Sequence, residues 1–261
     1  MNINKVNTHN ERSFSGHLLP KHAVWFRKIN PAAIEDYFSD LGVEAHFKGQ
    51  RVPAGLSLLA SLVAKKLGIP IPSAFFVRTA PKNTVAQSWF LRDRKPHPFK
   101  HLSVQYGRDV LSRSIKSFNQ MMDSGKYFYG TTHFLNIPLH EIMHCNLFKK
   151  IGDKYAYWHT NWDKVIDNKF SKIDLTPFSS EIKKRIGEYG ATDAIELHAV
   201  YWAKEICMSL NSNLKPKYNP FETPKIKLSP LLREFITKLS DADYSGAVAV
   251  SKKAKKLQNG V

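Results

Sequence analysis

The chain has 261 residues, 43% of them hydrophobic and 12% aromatic, and its 39 Lys and Arg outnumber 22 Asp and Glu for a net charge of +17. That length and apolar content suffice for one buried core, and no apolar run approaches the roughly 18 residues of a membrane-spanning helix. Cys145 and Cys207 are the only cysteines, too few for a disulfide scaffold or a four-cysteine metal site. In chain order, residues 1–22 read as a flexible leader, 23–245 as one domain, and 246–261 as a basic, solvated tail. Within the domain an N-terminal lobe covers about 23–125 and a core about 126–210. Met1 to Arg12 holds no apolar signal stretch, so the expected location is cytoplasmic, or outside the cell by a signal-peptide-independent route.

Asn30 and Pro31 open a helix through Leu41, with Asn30 as its cap. Val43 to Phe47 alternates like a strand. Leu56, Leu59, Leu62, Val63 and Leu67 recur at helical spacing until Gly68 stops the run. Ser73 to Arg78 and Val85 to Leu91 read as strands around a turn at Pro81-Lys82-Asn83. A basic loop over Arg92 to Pro98 follows, then a helix over Val104 to Met122. Tyr127 to Leu135 reads as a strand whose edge, at Thr131, Thr132 and His133, is placed to bind an extended substrate. Further on, Ser179 to Ile186 and Asp193 to Leu210 are helices, the second capped by Thr192, and Ser229 to Leu239 forms another.

The stretch Asn136-Ile137-Pro138-Leu139-His140-Glu141-Ile142-Met143-His144 carries the chemistry. It predicts a helix with Asn136 as cap and Pro138 in the first turn. Residues four apart share a helix face, so His140 and His144 point one way and can grip one Zn²⁺ through ring nitrogens. Glu141 lies one residue on, offset from that grip but close enough to take a proton from a zinc-bound water. This is the HExxH pattern of zinc peptidases, with the glutamate as general base.

A catalytic zinc needs a third protein ligand and an open position. The metzincin extension is absent, because its glycine and third histidine would fall at Leu147 and Lys150. His159, Glu196 and His198 remain as candidates. Glu196 lies one turn into a capped helix. His198, two residues away, points to another side of that helix.

The segment Tyr189-Gly190-Ala191-Thr192-Asp193-Ala194-Ile195-Glu196-Leu197-His198-Ala199, following HExxH, resembles the anthrax-lethal-factor-like zinc peptidases, which include many bacterial toxin and phage-borne domains. Those carry a Ser-Tyr-Ala/Gly turn and, seven residues after the tyrosine, a helix reading Glu-x-x-Ala-Glu. The likeness covers about residues 130–210. Here Glu188 stands at the serine and Val200 at the second glutamate. The resemblance implies His140, His144 and Glu196 as ligands of one zinc ion per chain, Glu141 as base, and Tyr189 as hydroxyl donor to the oxyanion. It also implies an α+β, zincin-like domain: a small twisted sheet over the HExxH helix, and a C-terminal helix supplying the third ligand.

The expected function is therefore zinc-dependent endopeptidase action on a protein or peptide substrate. One alternative is a Spartan-type DNA-associated protease, similar in having a histidine, here His159, 15 residues after the second HExxH histidine. Thr160-Asn161-Trp162-Asp163 lacks that family's following His-Gly. Another is a non-catalytic zincin-like structural or binding protein. Between Arg51 and Lys150 there are 15 Lys and Arg against 4 Asp and Glu, a field that suits an acidic partner or nucleic acid.

Overall fold

A computed structural model of the chain describes residues 20–78, 86–90, 102–107, 133–155, 165–166 and 168–260. The elements run α1 (Pro20–Lys28), α2 (Pro31–Asp40), β1 (Glu44–His46), α3 (Arg51–Lys66), β2 (Ala74–Arg78), β3 (Ala86–Phe90) and β4 (Leu102–Gly107). They continue with α4 (Asn136–Tyr155), α5 (Ser179–Arg185), α6 (Ala194–Ser209), α7 (Pro230–Ser240) and α8 (Tyr244–Gln258). The architecture is α+β: among the described residues, one four-stranded sheet is set among helices.

Local chemistry fixes the first elements where the sequence places them. The Asn30 side chain accepts from the Ala32 N–H at 3.2 Å and Pro31 supplies a pre-set first residue, which starts α2. Gly68 takes a left-handed backbone (φ 68) that ends α3. Strands β1, β2 and β4 run parallel in the order β1-β2-β4, and β3 closes the row antiparallel to β4. Phe75 sits between Ala45 and Val104 in register. All three are buried with Phe38 and Phe47 in one core. Helix α4 packs against β3 and β4.

Several expectations need correction. Val104 to Gly107 belongs to strand β4, not to a helix starting at Val104. The strand pairs on both sides and residues 103–107 are all buried. Two-sided burial removes the polar/apolar contrast by which a strand is told from a helix. The rest of that predicted helix lies outside the described residues. Residues 20–22 begin α1 rather than closing a flexible leader, and the helix buries Phe26 beside Gly55 and Phe134. His133 to Leu135 forms a turn, not the end of a strand. The helix that carries HExxH runs on to Tyr155.

The predicted basic tail is a folded helix. In α8, Ala247, Val250, Ser251 and Ala254 form a buried stripe at helical spacing and pack on α7, while Lys252, Lys253, Lys255 and Lys256 stay outside. The stripe is made of small residues, so the lysines hide it in sequence. Asp243 caps the helix, its Oδ1 accepting from Gly246 N–H at 3.0 Å.

Two buried or half-buried carboxylates tie the C-terminal helices together. Glu205 in α6 is fully buried and accepts from the N–H groups of Lys225 and Ile226 at 2.9 and 2.6 Å. Glu181 in α5 accepts from the Ser229 hydroxyl at 2.7 Å, at the start of α7. Phe178 packs on Phe235 of α7 with ring centres 5.1 Å apart. Replacing Glu205 with alanine strands one buried and one part-buried donor, so Glu205→Ala should lose about 2–3 kcal/mol of stability in urea unfolding. A loss near zero would show that this bond pair does not hold the 211–228 connector.

Candidate metal centre

The HExxH helix starts where it does because of its preceding turn. The Leu135 carbonyl accepts the first helical bond from Leu139 N–H at 3.0 Å, making Leu135 the cap residue in place of Asn136. The His133 ring accepts from Leu135 N–H at 3.2 Å, and its carbonyl accepts from Asn136 N–H at 2.8 Å. Pro138 falls in the first turn, where an N–H is not needed. His133 is therefore a buried turn residue stacked on Phe134, not an exposed edge residue placed to meet a substrate. Thr131, Thr132 and His159 lie outside the described residues, as does the basic loop over Arg92 to Pro98.

His140, Glu141 and His144 are all buried on α4. Glu196 reaches them from the first turn of α6. Its placement depends on Asp193, whose Oδ1 accepts from the N–H groups of Ile195 and Glu196 at 2.8 and 2.9 Å. Asp193, not Thr192, is the cap of this helix, and it bonds the backbone of the third candidate ligand directly. The Thr192 hydroxyl instead donates to the Tyr189 carbonyl at 2.7 Å.

Three atoms converge. His140 Nε2 and His144 Nε2 are 3.0 Å apart, and Glu196 Oε2 lies 3.1 Å from the first and 3.2 Å from the second. Ligand atoms about 2.0–2.1 Å from a tetrahedral zinc ion sit roughly 3.3 Å from one another, so the triangle is close to the size such an ion needs. Three electron-rich atoms this close, in a largely desolvated site, require a cation among them, either a proton or a metal ion. His140, His144 and Glu196 could therefore hold a metal ion. The expected third ligand, Glu196, is in the group. His198 is not, although it too is buried.

The electrostatics follow from this crowding. Burial alone would lower the His144 pKa, but the ionised Glu196 beside it prevails and lifts it to about 9. Burial likewise opposes the charge on Glu196, but the two imidazoles hold its carboxyl well below the usual carboxylate range. His198 is held well below its ordinary value by burial and by the charge of His144, and so stays neutral.

Tyr189 comes to the site on a short turn after α5. Lys204 of α6 caps the end of α5, its Nζ donating to the carbonyls of Arg185 and Ile186 at 2.9 and 3.1 Å. The Tyr189 ring centre lies 5.9 Å from that of His140. Burial, then the Glu196 and Glu141 carboxylates, push its hydroxyl above its ordinary range, so it remains a proton donor. The residue is still 38% exposed, which leaves it open to a bound molecule.

Sequence reasoning missed two neighbours. Phe148 stacks on His144, with ring centres 5.7 Å apart and planes 20° from parallel. Its position four residues after His144 was the available signal. Asp193 was the other, announced by an acid three residues before Glu196.

No protein-family model, curated protein or solved structure matches the chain.

The proton and a metal ion compete for the same place, which sets a pH dependence. In the metal-free protein the raised His144 contributes stability that is complete below its ordinary value of 6.5 and is lost as pH rises through about 9. Glu196, being depressed, contributes across the same range and fails only in strong acid. A metal ion needs His144 deprotonated, so zinc affinity should rise by up to about tenfold per pH unit between roughly pH 6 and 8. Zinc titrations giving a flat affinity over that range would contradict the His144–Glu196 coupling.

Proposed function

We propose that the chain is a zinc-dependent endopeptidase of zincin-like fold. The observation that supports this best is the meeting of His140, His144 and Glu196, with Glu141 on the same helix as the two histidines. Two imidazoles and one carboxylate are a ligand set that suits catalytic zinc, and the chain offers no thiolate to the group. Zinc bound there would supply Lewis acidity, polarising a peptide carbonyl and making a water molecule easier to deprotonate.

The remaining steps fall to this chain's own groups. Glu141 follows His140 by one residue and so stands about 100° around the helix from it, beside the metal face and off it. Its carboxylate takes the proton of the attacking water as the carbon–oxygen bond forms. The same carboxyl then delivers that proton to the amine that leaves as the carbon–nitrogen bond breaks. The Tyr189 hydroxyl donates to the carbonyl oxygen as negative charge grows on it, an interaction strongest in the transition state. The water therefore loses its proton to Glu141 while the oxygen gains a partner in Tyr189.

The substrate is a protein or peptide. Any role of the basic 51–150 stretch towards an acidic partner or nucleic acid forms part of the same proposal. No helix among the described residues is long and apolar enough to cross a membrane.

Peptide hydrolysis by purified variants tests the assignment. Glu141→Gln should retain zinc and lose hydrolysis, because an amide cannot take the water's proton. Tyr189→Phe should keep zinc and slow kcat by about 10²-fold. Glu196→Ala should lose both zinc and activity while His159→Ala keeps both. Full activity in Glu141→Gln would mean a different base, and loss of zinc in His159→Ala with retention in Glu196→Ala would transfer the third ligand to His159.

A further inference from the structure

Both ligand-bearing helices are tied to one turn. Between α7 and α8 the chain reverses through Ser240, Asp241, Ala242 and Asp243, with Ala242 in a left-handed backbone (φ 51). From α4, Lys150 Nζ donates to the Ser240 carbonyl at 2.8 Å and Lys154 Nζ to the Asp241 carbonyl at 3.4 Å. The Tyr155 hydroxyl donates to the Ala242 carbonyl at 2.9 Å and accepts from Tyr244 N–H at 3.2 Å. From α6, Trp202 Nε1 donates to the Ser240 hydroxyl at 2.8 Å, which in turn donates to the Ile236 carbonyl at 2.9 Å.

Part of this is ordinary helix capping. The last carbonyls of α7 have no helical donors and carry the negative end of its dipole, so lysines suit them. Capping alone, however, could use donors from anywhere. Here the donors come from the two helices that carry His144 and Glu196, and they start at equal distances from those residues. Lys150 lies six residues beyond His144 and Trp202 six residues beyond Glu196, which is about 9 Å of helix rise in each case. A slide of α4 along α6 would separate atoms that now converge at 3.0–3.2 Å. It would also break the bonds to the turn.

We propose that the Ser240–Tyr244 turn sets the register between the two ligand helices, with Tyr155 and Trp202 as positioning residues for the metal centre. They act by holding His140 and His144 opposite Glu196. The inference rests on the metal-centre reading and goes beyond it, because it places determinants of metal affinity in a C-terminal segment outside any motif.

The test compares zinc affinity, by competition with a chromophoric chelator, with the melting temperature of the metal-free protein. Trp202→Phe, Ser240→Ala, their double variant and Tyr155→Phe each remove hydrogen bonds while leaving most of the packing. Each single change should weaken zinc binding by about tenfold, the lower end of losses seen for groups that orient ligands. The Trp202→Phe/Ser240→Ala double should be about as weak as the worse single, since both remove the same Trp202–Ser240 bond. Lys150→Met, at an exposed position, should cost about threefold and serves where a ring variant does not fold. Lowered melting with zinc affinity within about twofold of wild type in every folded variant would reduce the turn to a stability element. Additive losses in the double would break the link between Trp202 and Ser240. Wild-type protein that takes up no zinc would instead overturn the metal-centre reading, and this inference with it.

Discussion

Three acceptor atoms from two helices meet in a largely desolvated site, and the rest of the structure has to tolerate that meeting. His140, His144 and Glu196 converge with separations of 3.0–3.2 Å. Without a cation their lone pairs would repel and their lost hydration would not be replaced. A proton satisfies the site in part, which is why Glu196 lifts His144 so far above its ordinary pKa. A divalent ion satisfies all three atoms at once. The competition between these two cations links acidity, metal content and stability in one place.

Convergence of this kind is expensive to maintain, and short polar contacts maintain it. Glu196 is fixed through its own N–H by Asp193, and His144 is stacked on Phe148. Tyr189 is carried on a turn whose supporting helix end is capped by Lys204, from the same helix as Glu196. Further out, Lys150, Lys154, Tyr155 and Trp202 all converge on the α7–α8 turn. Repeatedly, a side chain from α4 or α6 satisfies a backbone carbonyl that a neighbouring helix cannot satisfy itself. Packing brings the helices together, and these directional bonds select one register among several that apolar contact alone would allow.

The parts legible in the sequence were those governed by local rules. Spacing of four residues put His140 and His144 on one face, and Asn30-Pro31 and Gly68 marked helix ends through backbone chemistry that needs no partner. HExxH spacing anticipated His140 and His144, whereas Glu196, about 50 residues further on, was singled out through the resemblance to the lethal-factor-like peptidases. What the sequence hid was decided by tertiary burial. Strand β4 is enclosed on both faces, so Val104 to Gly107 lost its alternation and read as helix. Helix α8 buries only small residues, so its lysines dominated and a folded helix read as a tail. His133 looked like a strand-edge residue because its part in starting α4 depends on a turn that no local signal announced.

We propose His140, His144 and Glu196 as the ligands of one zinc ion. X-ray absorption at the zinc edge, on protein with its metal content measured, examines this most directly. About one zinc per chain is expected, with two imidazoles and carboxylate or water oxygen at about 2.0–2.2 Å and no sulfur. Glu196→Ala, prepared in the same way, should hold no zinc and give no zinc-edge spectrum. A zinc–sulfur distance of about 2.3 Å, or protein that binds no zinc when it is supplied, would contradict this assignment.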